Sequence, residues 1–228
     1  MHLFYQPEID KISILSEEEA HHAFHVLRLR DGDKIGLLDG KGKSAVASIQ
    51  SIHKRGVTAE VLSEELTPPP ARTFHLAIAP VKNMDRFEWL VEKATEMGVS
   101  RITPVICRRS ERKELKTDRL QKLIIAASKQ SKQSWFPVLE EPLLFSSFIK
   151  SEFGGKRFIA HCMDGDKVNT SALRMAANAT MLIGPEGDFD EAEVQAAVQT
   201  GFQPISLGET RLRTETAGLV AVVAFMLP

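Results

Sequence analysis

Two stretches near the carboxyl end of the chain each place a glycine-containing loop directly after a short apolar run. In the first stretch, residues 181–189, the apolar run stops at the loop Gly-Pro-Glu-Gly at 184–187. Glycine can take positive φ and lets the backbone approach a ligand closely, whereas proline fixes φ and lacks an amide hydrogen. The second stretch, residues 206–217, repeats this arrangement around Gly208. Both loops therefore indicate rigid rims with exposed backbone amides.

The elements around the two loops predict how the loops are held in space. Asp190 followed by Glu193 has the spacing of a capping box and predicts a helix that ends near Thr200. Residues 204–207 predict a strand before the second loop, and the apolar segment 217–227 predicts the last helix. Ligands of open α/β sheets bind outside the carboxyl ends of the strands, so we expect the two neighbouring loops to form one pocket.

Composition and cysteine use limit the class of protein. The 228 residues are 43% hydrophobic and 26% charged, which is typical of a soluble globular chain with one large or two small domains. Cys107 and Cys162 form no C-x-x-C pair, so the sequence indicates neither a zinc site nor a disulfide framework. The start of the chain lacks a signal-peptide pattern, and the longest apolar run, 217–227, is too short to span a bilayer. We therefore expect a cytoplasmic protein without membrane contact.

The charge distribution is uneven, although the formal net charge is only -1. Residues 101–132 contain ten Lys or Arg against three Asp or Glu, whereas residues 1–68 contain eight basic and eleven acidic residues. A basic stripe on a nearly neutral protein is expected of a selective RNA binder. The alternative is a solvated helix face.

Residues 1–67 predict a small β-rich domain. Glycine-containing turns separate short predicted strands at 34–38, 44–52 and 57–62. Many short strands with glycine-rich turns favour a small barrel. Three consecutive prolines follow and cannot continue a sheet, so we place a linker at 68–72.

A short helix of this domain carries several histidines. Ser16 and Glu19 have the spacing of a capping box and predict a helix that includes His21 and His25. These two histidines are four residues apart and could face one metal ion, but a third ligand is missing. A structural or RNA-facing role is therefore favoured.

Arg28 and Arg30 alternate with leucines after this helix. On a strand both guanidinium groups would project from the same face, where they could bind phosphates. Two solvated arginines on the domain surface are the alternative.

After the linker, strands alternate with helices through residues 73–228. The predicted strands are 73–79, 101–106 and 156–161, and the predicted helices are 85–97 and 118–133. This alternation predicts a parallel sheet in an α/β fold. Glu88, Glu92 and Glu96 form an acidic column on the first helix, and like charges at this spacing repel by a few tenths of a kcal/mol. We therefore expect cationic partners for them elsewhere in the fold or across a dimer.

Several segments together resemble one protein family. Residues 182–187 and 207–217 resemble the signature loops of the ribosomal-RNA uracil-N3 methyltransferases, which belong to the SPOUT superfamily. Residues 21–30 resemble the PUA-like RNA-binding domain of that family. The further matching segments are 86–88, 92–99, 109–112 and 130–131, followed by Pro137. The resemblance covers nearly the whole chain.

The resemblance implies a fold and an activity. Residues 73–228 would form a SPOUT α/β methyltransferase domain with a trefoil knot and a mainly parallel sheet, and residues 1–67 a PUA-like β-barrel. The implied reaction transfers a methyl group from S-adenosylmethionine to N3 of a specific uridine in 16S ribosomal RNA. The implied partners are 16S ribosomal RNA or the small ribosomal subunit and a second copy of the chain, with no metal.

The resemblance also assigns roles to individual residues. The expected cofactor-binding residues are His161, Ile183, Gly184, Pro185, Glu186, Gly187, Ser206, Leu207, Gly208, Leu212, Arg213, Thr216 and Ala217. The expected RNA-binding residues are Arg28, Arg30, Lys82, Arg86, Arg109, Arg112 and Arg211. When uracil N3 loses its proton, the charge spreads onto the flanking carbonyl oxygens, and an arginine beside them favours the anion. We expect Arg213 in this catalytic role, with Arg211 as the alternative.

Glu186 is the expected proton acceptor, and the alternative for it is a loop carboxylate that caps nearby amides. Two positions depart from the family pattern, since Asp188 stands where glycine is usual and Thr210-Arg211 where Arg-Ile is usual. Aspartate visits the left-handed region more readily than most residues. These departures keep two alternatives open: a SPOUT methyltransferase for another RNA position, or a catalytically degenerate protein for RNA binding or ribosome assembly.

Overall fold

The computed structural model describes residues 1–53 and 56–226, and the chain divides into two compact units. One unit contains Met1–Pro70 and Ile125–Phe136, and the other contains Ala71–Ile124 and the chain from Pro137 onward. Residues 125–136 thus join the first unit, although they follow the predicted linker at 68–72. The predicted domain boundaries stay a prediction.

The first unit is built on a five-stranded sheet. Its elements are β1 (Leu3–Tyr5), β2 (Ile12–Ile14), α1 (Glu17–His21), a π-helical turn (His22–Val26), β3 (Lys34–Leu38), β4 (Lys43–His53) and β5 (Gly56–Leu66). The strand order is β1-β3-β4-β5-β2, and all pairs are antiparallel except the parallel pair of β1 and β3. Phe4, Leu37, Ile49 and Val57 are among its buried core residues. The predicted small β-rich domain is confirmed.

The carboxyl-terminal part of the helix at 117–130 is anchored in this first unit by polar contacts. Lys129 Nζ lies 2.6 Å from the Glu19 carboxylate, which also accepts a hydrogen bond from the Tyr5 amide. Trp135 Nε1 donates to the carbonyl of Thr67 at 3.0 Å. These contacts explain why residues 125–136 belong to this unit, which the local sequence pattern does not reveal.

The second unit is an α/β structure with a parallel sheet. Its elements are β6 (Thr73–Ile78), α2 (Met84–Glu96), β7 (Arg101–Ile106), the first part of α3 (Thr117–Gln130), β8 (Val138–Leu139), β9 (Leu143–Leu144), α4 (Phe145–Phe148), β10 (Lys156–Ala160), α5 (Thr170–Arg174), β11 (Asn178–Ile183), α6 (Glu191–Gln199), β12 (Gln203–Ile205) and α7 (Thr214–Met226). The strand order is β12-β10-β11-β6-β7-β8, with β9 also paired to β7. Every pair is parallel, as predicted. The trefoil knot stays a prediction.

Both faces of this sheet are buried, as expected for parallel strands. On β6, Leu76 and Ile78 pack into the core that contains α2 and α7, while Ala77 packs into the core on the other face. Gly218 of α7 sits so close to this sheet that a Cβ there would lie 2.7 Å from Ile78 Cδ1. The last helix therefore packs closely on the sheet at Gly218, where a Cβ would have to displace the Ile78 and Leu90 side chains. Residue 227, the predicted end of this helix, lies outside the described residues.

The acidic column on α2 has cationic partners, as predicted. Glu88 pairs with Arg119 of α3 at 2.7 Å. Lys93 pairs with Glu92 at 2.7 Å and with Glu96 at 2.8 Å. Among the helices of residues 1–53 and 56–226, none has the length and apolar character needed to cross a membrane.

Candidate functional site

A cavity of about 800 Å³ lies in the second unit, at the carboxyl ends of β10, β11 and β12. Both glycine-containing loops line it, so they form one pocket as the sequence predicts. The segments that follow the three strands contribute most of the wall, together with Arg86 from α2 and the first residues of α7. Parallel strands thus bring residues that are distant in sequence to one edge of the sheet.

The first loop folds around a buried aromatic ring. A Cβ at Gly184 would lie 2.9 Å from the fully buried ring of Phe189, so the close approach requires glycine. The Thr214 hydroxyl donates to the Gly184 carbonyl at 3.0 Å and ties the start of α7 to this loop. The left-handed residue of the loop is Asp188, with φ 62°, and not either of its glycines.

Asp188 connects this loop to the segment that follows β10. One carboxylate oxygen accepts a hydrogen bond from the Cys162 amide at 2.8 Å, and the other accepts from the Phe189 amide at 2.8 Å. The Asp188 amide donates to the Pro185 carbonyl at 2.9 Å and closes a turn. The departure from glycine thus fits the backbone conformation and adds a contact that glycine lacks.

His161 lines the cavity at the end of β10. Its pKa is lowered because burial and the nearby Lys167 ammonium disfavour the imidazolium, and Asp188 offsets only part of this. Lys167 Nζ donates to the His161 carbonyl at 2.8 Å. Since the ordinary pKa of histidine is 6.5, the ring is mainly neutral at pH 7.

The second loop presents two arginines to the cavity. Gly208 has φ 141°, a conformation that side chains rarely allow, and Ser206 Oγ donates to its carbonyl at 3.1 Å. Arg211 and Arg213 line the cavity and are exposed. In the described part of the chain, no hydrogen bond or ion pair involves either guanidinium group. Both are therefore available to an anionic ligand.

The structure brings most, but not all, of the predicted cofactor residues to the cavity. Gly187 and Thr216 are not part of its lining, whereas the other eleven are. Asp188 and Glu215 also line the cavity, although the sequence does not predict them as site residues. A charged residue beside a glycine loop was the available signal for Asp188, and the position in the first turn of α7 was the signal for Glu215.

The basic residues predicted to bind RNA occupy several different places. Arg86 and Arg211 line the cavity. Arg109 donates to the carbonyls of Gly187 at 3.0 Å and Phe189 at 3.3 Å, and Arg112 donates to the Lys82 carbonyl at 3.0 Å. Thus two guanidinium groups of the basic stripe support loops, and their RNA contacts stay a prediction.

Lys82 and Glu186 contribute to the same support. The Lys82 ammonium pairs with Glu111 at 2.9 Å, which raises the pKa of the lysine. The Lys82 amide donates to Glu186 Oε1 at 2.8 Å. One oxygen of Glu186 is therefore occupied by a backbone amide, as in the alternative stated above, and its catalytic role stays a prediction.

The histidine and arginine segment of the first unit differs from the expected geometry. The helix changes to a π-helical turn after His21, which brings the rings of His21 and His25 to 4.5 Å between centroids. Arg28 has φ 54° and residues 27–30 form no strand, so the predicted common strand face of Arg28 and Arg30 is wrong. Both arginines are exposed. Within the described residues no group of three or more metal-ligating side chains occurs.

Comparison with known proteins agrees with this architecture and defines its class. Residues 68–226 match the model of an RNA methyltransferase domain, and residues 15–62 match that of an RNA methyltransferase PUA domain. A probable rRNA-methyltransferase from Porphyromonas gingivalis is 37% identical, with a TM-score of 0.89 over 97% of this chain and 95% of that chain.

Relatives with a more specific description are similar over the full length. The ribosomal RNA small subunit methyltransferase E of Aquifex aeolicus is 30% identical over 100% of this chain and 99% of its own length. That of Neisseria gonorrhoeae, in a structure bound to S-adenosyl methionine, is 30% identical with a TM-score of 0.84 over 98% and 96% of the two chains. The chain belongs to the family of ribosomal RNA small subunit methyltransferase E. The resemblance stated from the sequence is confirmed.

Proposed function

We propose that this protein transfers a methyl group from S-adenosylmethionine to N3 of a uridine in 16S ribosomal RNA. The observation that supports this most directly is the cavity at the carboxyl edge of the sheet, which combines two glycine-containing loops with two arginines that have no partner in the described chain. The relatives named for small-subunit ribosomal RNA, one of them bound to S-adenosyl methionine, support the substrate class and the methyl donor.

The residues around the cavity fit the methyl donor in size and chemistry. Its volume of about 800 Å³ lies within the usual range for small-molecule sites, roughly 300–1,000 Å³. Backbone groups of residues 183–186 and 206–208 suit the adenine and ribose, and Leu207, Leu212 and Ala217 supply apolar contacts. When bound, the donor supplies a methyl group that its sulfonium already activates, so the chain must mainly orient the two reactants.

Residues of the chain have to stabilise the deprotonated form of the target base. Uracil N3 is a poor nucleophile while it carries its proton, and Arg213 would stabilise the anion by facing a flanking carbonyl oxygen. Arg211 remains the alternative for this role. N3 is paired within a helix, so the substrate uridine has to be unpaired or extruded from its stack. Arg28 and Arg30, in the unit that contains the PUA match, would bind the surrounding RNA.

The proposal includes a cytoplasmic homodimer with a trefoil knot, by analogy with the family. Two experiments distinguish this function from the two alternatives, methylation of another RNA position and a catalytically degenerate protein for RNA binding or ribosome assembly. Isothermal titration with S-adenosylmethionine should show binding to the pure protein, and the absence of binding would favour a degenerate pocket. Mass-spectrometric mapping of 16S ribosomal RNA after reaction should show N3-methyluridine. A methyl group on another atom or base would replace the N3 assignment.

A further inference from the structure

Four carboxylates line the cavity, and three of them either accept hydrogen bonds from backbone amides or are exposed to solvent. Both oxygens of Asp188 accept backbone amides, and one oxygen of Glu186 accepts the amide of Lys82. Glu209 is exposed at the rim. Glu215 is the exception, because it lines the cavity while only 7% of its surface is exposed.

The surroundings of Glu215 leave its carboxylate free to accept a hydrogen bond. Its ion-pair partner is Arg86, at 3.8 Å from Nη1 to Oε1, which is longer than a hydrogen bond. Across residues 1–53 and 56–226 no hydrogen bond to the Glu215 carboxylate is formed. Thr214, the preceding residue, is held by the Gly184 carbonyl, so the backbone beside Glu215 is fixed. Neither carboxylate oxygen of Glu215 is among the fully buried side-chain atoms of the described residues that lack a partner, so the carboxylate is open to the cavity, where a ligand can supply the hydrogen bond.

We propose that Glu215 is a catalytic residue that accepts the N3 proton of the substrate uracil. This inference rests on the proposed function and deepens it. The proton passes from N3 to a carboxylate oxygen of Glu215. The N3 electron pair then forms the bond to the methyl carbon of S-adenosylmethionine, while the carbon–sulfur bond breaks and leaves its electron pair on sulfur. Arg213 stabilises the anionic carbonyl oxygens, and Arg86 keeps the carboxylate oriented.

A purely structural role of Glu215 is the competing explanation. An acidic residue in the first turn of a helix stabilises the helix by about 0.3–1 kcal/mol without any catalysis. Glutamine at this position removes the negative charge and the strong acceptor but keeps the shape. A structural residue would therefore alter stability without changing how the rate depends on the acidity of the substrate.

The first experiment compares Glu215→Gln with Glu191→Gln, a matched change at an exposed residue in the first turn of α6 that does not line the cavity. General base catalysis contributes about 10²–10⁴-fold, so Glu215→Gln should lower kcat by that factor. The Kd for S-adenosylmethionine should change by less than about threefold, and Glu191→Gln should lower kcat by less than about threefold. Equal kcat values for the two variants would overturn the proposal. If Glu215→Gln does not fold, Glu215→Ala, which also removes the carboxylate, replaces it in all three measurements.

The second experiment changes the substrate. RNA transcribed with 5-fluorouridine carries a more acidic N3 proton and depends less on a base. The loss of kcat in the variant should therefore shrink by about tenfold or more on this RNA, in line with the dependence of acid–base catalysis on acidity. The same relative loss on both RNAs would contradict a role in proton transfer.

A third measurement needs no methyl donor. RNA with a ¹⁵N3-labelled uridine is bound to the protein, and the imino proton is followed by NMR. A hydrogen bond to a carboxylate should move this proton downfield and protect it from exchange in the wild type, and the variant should lose both effects. Identical imino signals in wild type and variant would overturn the proposal. If the proposed function itself fails, the wild type forms no N3-methyluridine, which is a separate result.

Discussion

The two loops that line the cavity are held in different ways. The first loop is fixed from outside, since Thr214 binds the Gly184 carbonyl, Arg109 binds the Gly187 carbonyl and Asp188 binds the Cys162 amide. The second loop carries Arg211 and Arg213, whose side chains make no polar contact in the described chain. One wall is therefore prearranged, whereas the other retains unpaired charge for an incoming substrate. This division suits a reaction in which a small donor lies against a rigid wall.

The largest effect, a loss of kcat, is expected when Arg213 of the second loop is replaced. Arg213→Ala should lower kcat by about 10²–10³-fold, as for the loss of one oxyanion-stabilising donor, because it acts on charge that develops in the substrate. The Kd for S-adenosylmethionine, measured by titration calorimetry, should change by less than about threefold. Arg211→Ala is the matched control with a smaller loss of kcat. A larger loss in Arg211→Ala would exchange the two assignments.

A change in the first loop should affect the stability of the protein. Gly184→Ala places a methyl group 2.9 Å from the Phe189 ring and should destabilise the protein by about 1–3 kcal/mol in denaturant unfolding. In the double variant Gly184→Ala/Phe189→Leu, the smaller leucine side chain makes room for the added methyl group. It should therefore recover part of the lost stability, which a double-mutant cycle measures. Strictly additive effects would show that the ring does not set the loop.

Arg109 tests whether a residue predicted to bind RNA belongs to the rigid wall. Arg109→Ala removes the hydrogen bonds to the Gly187 and Phe189 carbonyls and should weaken donor binding by about fivefold, or about 1 kcal/mol, in the absence of RNA. Arg108→Ala is the control, since its exposed side chain pairs with Asp190 and makes no hydrogen bond to these two carbonyls, so donor binding should change by less than about twofold. Unchanged donor binding combined with a lower salt dependence of RNA binding would return Arg109 to a role in RNA contact alone.

The smallest effect concerns the charge of His161, which lines the cavity at the end of β10. The pKa of His161 lies below its ordinary value of 6.5, so the ring is neutral at pH 7 and gains a positive charge as the pH falls below that lowered pKa. This charge should weaken binding of a cationic sulfonium by a few-fold between pH 7 and pH 5. His161→Gln should remove this pH dependence in calorimetric titrations. A pH dependence that persists in the variant would assign it to another group.

The sequence predicts the parts of this molecule that depend on local patterns. Alternating apolar runs give the parallel sheet, and the glycines of both loops give the cavity, because strand ends gather at one edge. The role of Arg109 is different, since its partners lie about 80 residues further along the chain and a run of basic residues indicates only charge. Arg28 takes its left-handed conformation just after a π-helical turn, and residue spacing does not indicate such a turn. Asp188 was recognised as unusual, but its contact with Cys162 requires the neighbouring strand.

Gly218 lies in the second turn of α7, directly after Ala217, which lines the cavity, and it lets this helix rest against Ile78. A larger side chain there would have to displace the Ile78 and Leu90 side chains or shift the helix that carries Thr214 and Glu215. Engineering that fills this contact to gain stability would therefore act on residues directly beside the cavity. The tight seam between helix and sheet sets a limit on how freely the interior can be redesigned while the enzyme stays active.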